Sequence, residues 1–217
     1  MGESLSKSII FDFDGTLVDS EITIYKCFQT ITNYLAPERV HYAKNILIGP
    51  PLRDTASEIL GPNYQGQLDE FVKLFIEMHD EYTIKNTKPY PDVIETLEIL
   101  SLKGISMAVA TNKRYAPTIK LINHFNWQKY FTSIECSDSQ SQIRNKDEMI
   151  QEILKNNTFN KAFFVGDTVN DGLSANLNQL PFILARYGYG RNQDWVEVQI
   201  EKEIDCFDEL LKFNEYL

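Results

Sequence analysis

The sequence predicts an α/β fold: a doubly wound, Rossmann-like parallel sheet carrying an inserted all-helical domain. Three observations predict it. Five short apolar runs, Ser8–Phe13, Ile105–Thr111, Phe131–Cys136, Ala162–Val165 and Pro181–Ala185, are continuous rather than alternating. That is the pattern of strands covered on both faces. Helical periods lie between most of them, and strand–helix–strand repetition builds a parallel sheet. The segment 20–88 breaks this rhythm and contains no convincing strand.

Each element has its own signal, taken here from the N-terminus. The first strand runs into Asp12-Phe13-Asp14-Gly15-Thr16. In the insert, Ile24, Phe28, Ile31 and Leu35 follow a helical period, as do Leu68, Phe71, Phe75, Met78 and Tyr82. Pro50-Pro51 and Gly61-Pro62 punctuate loops between them, so three or four helices are expected. The aromatics Tyr25, Phe28, Tyr34, Phe71 and Phe75 are expected to form the insert's core. The α/β core is then 1–19 with 89–217, and the helical insert is 20–88. Beyond the insert, Asp92–Leu102 puts Val93, Ile94, Leu97 and Leu100 on one face. It opens with Asp92 and Glu95 in capping-box spacing and closes at Gly104. Asp147–Lys155 groups Met149, Ile150, Ile153 and Leu154, and Asp208–Leu217 reads as a short terminal helix.

Composition narrows the function. The chain has 217 residues, 43% hydrophobic and 24% charged, which is a globular balance able to bury a core. Its formal net charge of −10 disfavours general binding to nucleic acid or to an anionic membrane. Cys27, Cys136 and Cys206 lie far apart without a CxxC, as expected of reduced thiols in a cytoplasmic protein. No apolar run reaches the length of a membrane span, and the N-terminus lacks the features of a signal peptide. Met1-Gly2 with Ser6 formally fits a myristoylation pattern, and Asn156-Asn157-Thr158 a glycosylation sequon. The first pattern recurs by chance, and the second has no meaning without secretion.

The polar residues at the strand ends carry the chemistry. In an open α/β sheet, ligands bind beyond the carboxyl ends of the strands. One strand ends in Asp12-Phe13-Asp14, another in Thr111-Asn112-Lys113, and a third in Gly166-Asp167 with Asp171 close behind. Three strands thus deliver carboxylates, a hydroxyl and amides to one edge. The carboxylates Asp12, Asp14, Asp167 and Asp171 repel one another and call for a cation. Hard oxygen ligands suit Mg2+.

Asp12-Phe13-Asp14-Gly15-Thr16-Leu17-Val18-Asp19-Ser20 resembles the first motif of the haloacid dehalogenase superfamily of phosphohydrolases. Thr111-Asn112 resembles its second motif, Lys146 its third, and Gly166-Asp167 through Asp171 its fourth. The helical insert resembles the superfamily's mobile cap in its α-helical form. Ile48-Gly49-Pro50-Pro51-Leu52, Pro89-Tyr90-Pro91-Asp92-Val93 and Tyr187-Gly188-Tyr189-Gly190 resemble the phosphoglycolate phosphatase-like branch. In one place the match departs: the third-motif Lys is often followed by Pro, and here Asp147 follows Lys146. Lys113 is a rival cation.

The resemblance implies a Mg2+-dependent phosphatase acting on a small phosphorylated metabolite, as a monomer or homodimer. Asp12 is the implied nucleophile and Asp14 the acid and base. Gly15, Thr111, Asn112 and Lys146 are implied contacts for phosphoryl oxygens, with Lys146 facing developing negative charge. The metal set is Asp12, Asp14, Asp167 and Asp171, with Asp14 serving through its backbone carbonyl and Asp171 as an orienter. Asp171 also reads as a helix cap. Arg53, after the Gly-Pro-Pro-Leu loop of the insert, is a candidate contact for a substrate anion. His41, His79 and His124 have no ligand spacing and read as structural or surface residues.

Other functions stay in view. Phosphomutases of the β-phosphoglucomutase type carry a His and a Trp shortly after the first motif, and Asp19–Arg39 contains neither. Dehalogenases lack the second Asp, present here as Asp14. A pyrophosphatase would use the same residues on a phosphoanhydride. Receiver domains pair adjacent carboxylates on a shorter chain, and a non-catalytic phosphate-binding relative would be expected to have lost a motif.

Overall fold

The computed structural model describes residues 7–44, 46–140, 142–156 and 161–213. The Gly2–Ser6 pattern, most of the Asn156 sequon and the last residues of the expected terminal helix lie outside them. The chain divides into two compact units, one running to Asp19 and resuming at Pro89, the other Ser20–Lys88.

The first unit is built on six parallel strands: β1 (Lys7–Phe11), β4 (Ser106–Thr111), β5 (Phe131–Cys136), β6 (Lys161–Gly166), β7 (Phe182–Ala185) and β8 (Lys202–Ile204). Their order is β5-β4-β1-β6-β7-β8. Short strands β2 (Val18–Asp19) and β3 (Lys88–Pro89) form a separate two-stranded sheet. The chain builds leftward from β1 to β4 and β5, then returns to β6 and builds rightward. The direction reverses between β1 and β6, which is where such sheets open a crevice for ligands. Phe11 pairs with Val109 of β4 and with Val165 of β6, so these three strands end side by side.

Alternate residues of each strand feed two cores. Ile9, Phe11, Val109, Phe163, Val165 and Ile183 pack with Trp127 and Phe207 on one face. Ile10, Ala108, Ala110, Phe164, Phe182 and Leu184 pack on the other face. There they meet Met149, Ile150 and Ile153 of α6 (Lys146–Asn156) and Ala175 of α7 (Val169–Leu177). Burial on both faces is why the sequence shows continuous apolar runs.

Local structure departs from the sequence reading in several places. Strand β5 is an edge strand, and only Cys136 in it is fully buried. Strand β8 gave no apolar signal because Lys202 and Glu203 are exposed at the other edge and only Ile204 turns inward. Asp92, ahead of α4 (Val93–Leu102), makes no side-chain cap: it sits at φ 64°, left-handed rather than in the extended conformation that aims a carboxylate at the helix amides. Gly104 at φ 74° does close that helix's end. The terminal segment forms a 3-10 turn over Phe207–Lys212 rather than an α-helix.

The second unit contains α1 (Glu21–Leu35), α2 (Leu52–Leu60) and α3 (Leu68–Asn86), with 3-10 turns at Pro37–Arg39 and Pro62–Gln67. Phe28 anchors it, with its ring centroid 4.5 Å from Phe75 and 6.0 Å from Phe71. His79 is buried and stacks on Phe75. Arg39 donates to the carbonyls of Ile59 (2.8 Å) and Glu58 (3.1 Å), closing the end of α2 beside Gly61. Tyr25 donates to the Ile46 carbonyl, whereas Tyr34 is 75% exposed and is not part of the core. Among the described residues no helix is long and apolar enough to cross a membrane.

Phe28→Ala is expected to cost about 3–5 kcal/mol, and Tyr34→Ala less than about 0.5 kcal/mol. Urea unfolding followed by circular dichroism, with limited proteolysis to locate early cleavage in Ser20–Lys88, measures both.

Candidate active site

The site begins where β1 stops. The Asp12 N–H still bonds the Val165 carbonyl at 2.9 Å, one residue beyond the strand. The chain then turns sharply: Leu17 and Val18 both donate to the Phe13 carbonyl, and Gly15 donates to that of Val18. Phe13 is fully buried in the core and Asp12 is left at the strand end, 4% exposed. Gly15 sits at φ 86°, and a Cβ there would lie 2.3 Å from Asp167 Oδ2. Both the backbone conformation and the space demand glycine.

Asp12, Asp167 and Asp171 are buried, and each brings a carboxylate oxygen within 4.8 Å of the others. The ammonium of Lys146, at the start of α6, is in direct contact with this trio. Its Nζ lies 2.8 Å from Asp12 Oδ1 and also pairs with Asp171 Oδ1. The second oxygen of Asp171 accepts from the backbone N–H of Asp167 (3.1 Å) and Thr168 (2.9 Å) and from the Thr168 hydroxyl (2.7 Å). Thr168 and Asp171 form the capping box of α7, so Asp171 caps a helix and holds Lys146 at once.

Asp167 is enclosed differently. It accepts from the Thr16 hydroxyl at 3.1 Å and from the Tyr189 N–H at 2.6 Å. A Cβ on Gly188 would lie 2.2 Å from its own Cβ, and one on Gly190 2.0 Å from its carbonyl oxygen. The Tyr-Gly-Tyr-Gly segment is glycine-rich because its backbone closes over this carboxylate.

The electrostatics follow from burial. Desolvation pushes the Asp12 carboxyl up to about 7; Lys146 pulls against this and Asp171 adds to it. Asp167 is held well above the ordinary carboxylate range by burial, then by Asp171 and Asp12. Burial works to lower Lys146, but Asp12 and Asp171 outweigh it and hold its ammonium above the usual lysine range. Three carboxylates and one ammonium leave the trio short of positive charge. The donors are hard oxygens, so the residues present fit a divalent cation such as Mg2+.

Asp14 stands outside the trio. Both its oxygens pair with Lys113 Nζ at 3.0 Å. Thr111 is buried at the end of β4, and its hydroxyl accepts from the Lys113 N–H at 3.2 Å. Asn112 follows it at the same sheet edge. In the helical unit, Arg53 pairs with Asp69 at 2.7 Å, both well exposed. Sequence reasoning assigned no role to Thr16, Thr168 or the Tyr189 N–H. The signal for Thr168 was present: Thr-x-x-Asp before a helix is capping-box spacing.

Residues 9–185 match the family model of haloacid dehalogenase-like hydrolases. The chain belongs to this family. The haloacid dehalogenase-like chain is 29% identical over 211 residues to a phosphoglycolate phosphatase of Agrobacterium fabrum, covering 94% of this chain and 90% of that one. It is 27% identical over 169 residues to the pyrophosphatase PpaX of Listeria welshimeri, covering 76% of each. Its fold matches that of a haloacid dehalogenase-like family hydrolase from Streptococcus pneumoniae with a TM-score of 0.82, at 23% identity over 97% of this chain and 99% of the other. This haloacid dehalogenase-like hydrolase is a phosphatase.

Lys146→Met removes the ammonium from among buried carboxylates. It is expected to cost about 3–5 kcal/mol in metal-free protein at neutral pH, measured by urea unfolding. An unchanged midpoint would show that Lys146 is not what balances the trio.

Proposed function

We propose that this phosphatase hydrolyses a small phosphorylated hydroxy acid of the phosphoglycolate kind, with Mg2+, through a phosphoryl group carried on Asp12. One observation supports this above the rest: a buried carboxylate at the end of a central strand, 2.8 Å from a buried lysine and beside two further buried carboxylates.

The chemistry is assigned as follows. An Asp12 oxygen attacks phosphorus, a new P–O bond forms, and the bond from phosphorus to the substrate's alkoxide breaks. Protonated Asp14 gives its proton to the departing alkoxide. Asp14, now a carboxylate, takes a proton from water as the water oxygen attacks the aspartyl-phosphate. Inorganic phosphate leaves and Asp12 returns as a carboxylate. Lys146 faces the charge that builds on the phosphoryl oxygens, and the Thr111 hydroxyl, the Asn112 amide and the backbone around Gly15 orient them. Asp12, Asp167 and the Asp14 carbonyl would hold Mg2+, with Asp171 orienting. The metal would supply positive charge to the phosphoryl oxygens.

The Lys113–Asp14 pair bears on the cycle, because Asp14 must leave Lys113 to reach a leaving group. Arg53 is the residue of the helical unit assigned to the substrate's second anionic group. Its pair with Asp69 is exposed, and such pairs contribute roughly 0–1 kcal/mol, so releasing Arg53 costs little. Among the described residues Cys27, Cys136 and Cys206 form no disulfide, which suits the reducing cytoplasm assigned to the protein. Hydrolysis of a phosphoanhydride is a second reading, supported by the likeness to PpaX.

A panel of phosphorylated metabolites with inorganic pyrophosphate, ranked by kcat/KM, separates the two readings; phosphoglycolate is expected to lead, and pyrophosphate in first place would select the second. Asp12→Asn is expected to stay folded and lose all turnover, with a few per cent of residual activity in pure protein enough to reject Asp12 as nucleophile. Chelation should abolish activity and Mg2+ restore it. Asp14→Asn should release a burst of phenol from an acidic aryl phosphate, near one equivalent per site, and then stall with phosphate on Asp12. Equal losses on aryl and alkyl phosphates in single turnover would remove the proton-transfer role from Asp14.

A further inference from the structure

Lys146 reaches Asp12 and Asp171 from the first residue of α6, so its ammonium is only as well placed as the backbone that carries it. That backbone is held from one side by an unusual contact. Arg144, two residues before Lys146, lies among the buried residues, its side chain 10% exposed. It donates through Nη2 to Glu135 Oε2 at 2.5 Å and to the Cys136 carbonyl at 3.3 Å. Its own N–H bonds the Ser137 carbonyl at 2.9 Å. Glu135 and Cys136 are the last residues of β5, and β5 pairs with β4 up to Thr111. On the other side, the Glu148 carboxylate accepts the Asn145 N–H at 2.8 Å, the half of a capping box that fixes where α6 starts.

A buried ion pair is a poor source of stability. Replacing one by apolar residues of similar volume is often neutral or stabilising. Such a pair can instead fix geometry: here one guanidinium nitrogen, Nη2, is held by both the Glu135 carboxylate and the Cys136 carbonyl, which ties Arg144 to the end of β5. Here the directed element ends in Lys146.

We propose that Arg144 is a positioning residue for Lys146: paired with Glu135 at the end of β5, it sets the backbone from which the Lys146 ammonium reaches Asp12. The inference rests on the phosphatase reading of Lys146 given above. Its consequence is that the Arg144–Glu135 pair governs turnover and not folding or substrate affinity.

The test uses the whole chain with Mg2+ and p-nitrophenyl phosphate. The double variant Glu135→Leu/Arg144→Met should keep its urea midpoint, while kcat falls roughly 10- to 100-fold and KM changes less than about threefold. Arg144→Lys, which keeps the charge and loses the fork, should recover part of kcat. Lys146→Arg keeps a cation in the site and should itself lower kcat. In that background, breaking the Arg144–Glu135 pair should cost less than about twofold more, because the ammonium is already displaced. Wild-type kcat in the double variant, a kcat loss no larger than the loss of folded protein, or losses that multiply with that of Lys146→Arg would each overturn the proposal. If folded Lys146→Arg and Lys146→Met both turn over as wild type, the phosphatase role of Lys146 fails first and this inference with it.

Discussion

One ammonium holds the site together. Lys146 stands between Asp12 and Asp171, carboxylates that burial would otherwise drive apart or neutralise. Its demands reach outward. Asp171 can face Lys146 with one oxygen only because the other is satisfied by the amides and hydroxyl that open α7. Gly166 is glycine because a Cβ there would lie 2.5 Å from the Asp171 Cβ. The start of α6, the start of α7 and the end of β1 are therefore set against one another through a single charged group.

The sheet makes that meeting possible at little conformational cost. Parallel strands β1, β4 and β6 end side by side, and the reversal of strand order between β1 and β6 leaves their rim uncovered by a crossover. The residues beyond the strand ends need only short turns to converge. A site on rigid strand ends is better placed for phosphoryl transfer, in which positioning and electrostatics supply most of the rate. Asp14 sits in a separate pair with Lys113, so Asp12 and Asp14, two residues apart in the chain, are paired with different lysines.

Much of this could be read from the sequence, for an identifiable reason. Strands buried on both faces write themselves as continuous apolar runs, and β1, β4, β6 and β7 were visible for that reason. Edge strands do not, so β5 looked more buried than it is and β8 was invisible. The meeting of Asp12, Lys146, Asp167 and Asp171 followed from motif order, since strand ends converge whatever the intervening helices are. Local conformation was less legible. Asp92 and Glu95 have capping-box spacing, but the left-handed backbone of Asp92 annuls it; Thr168 and Asp171 have the same spacing and form the box. Spacing names the candidates, and backbone torsion decides between them. The enclosure of Asp167 by Gly15, Gly188 and Gly190 was beyond sequence reasoning, because it depends on distances between loops far apart in the chain.

That enclosure has a consequence for how the molecule is made. The Thr16 hydroxyl that bonds Asp167 lies 151 positions before it, and the backbone that covers the carboxylate arrives only with Gly188–Gly190. Contacts between such distant segments close the longest loops in the chain and form late. On the ribosome, where residues emerge from the N-terminus onward, the first strand and the helical unit are out long before the last wall of the acidic pocket. A nascent chain shorter than about 190 residues has no enclosed Asp167 at all. The enclosure of Asp167 is thus completed late in synthesis, with β8 and the Phe207–Lys212 turn following it.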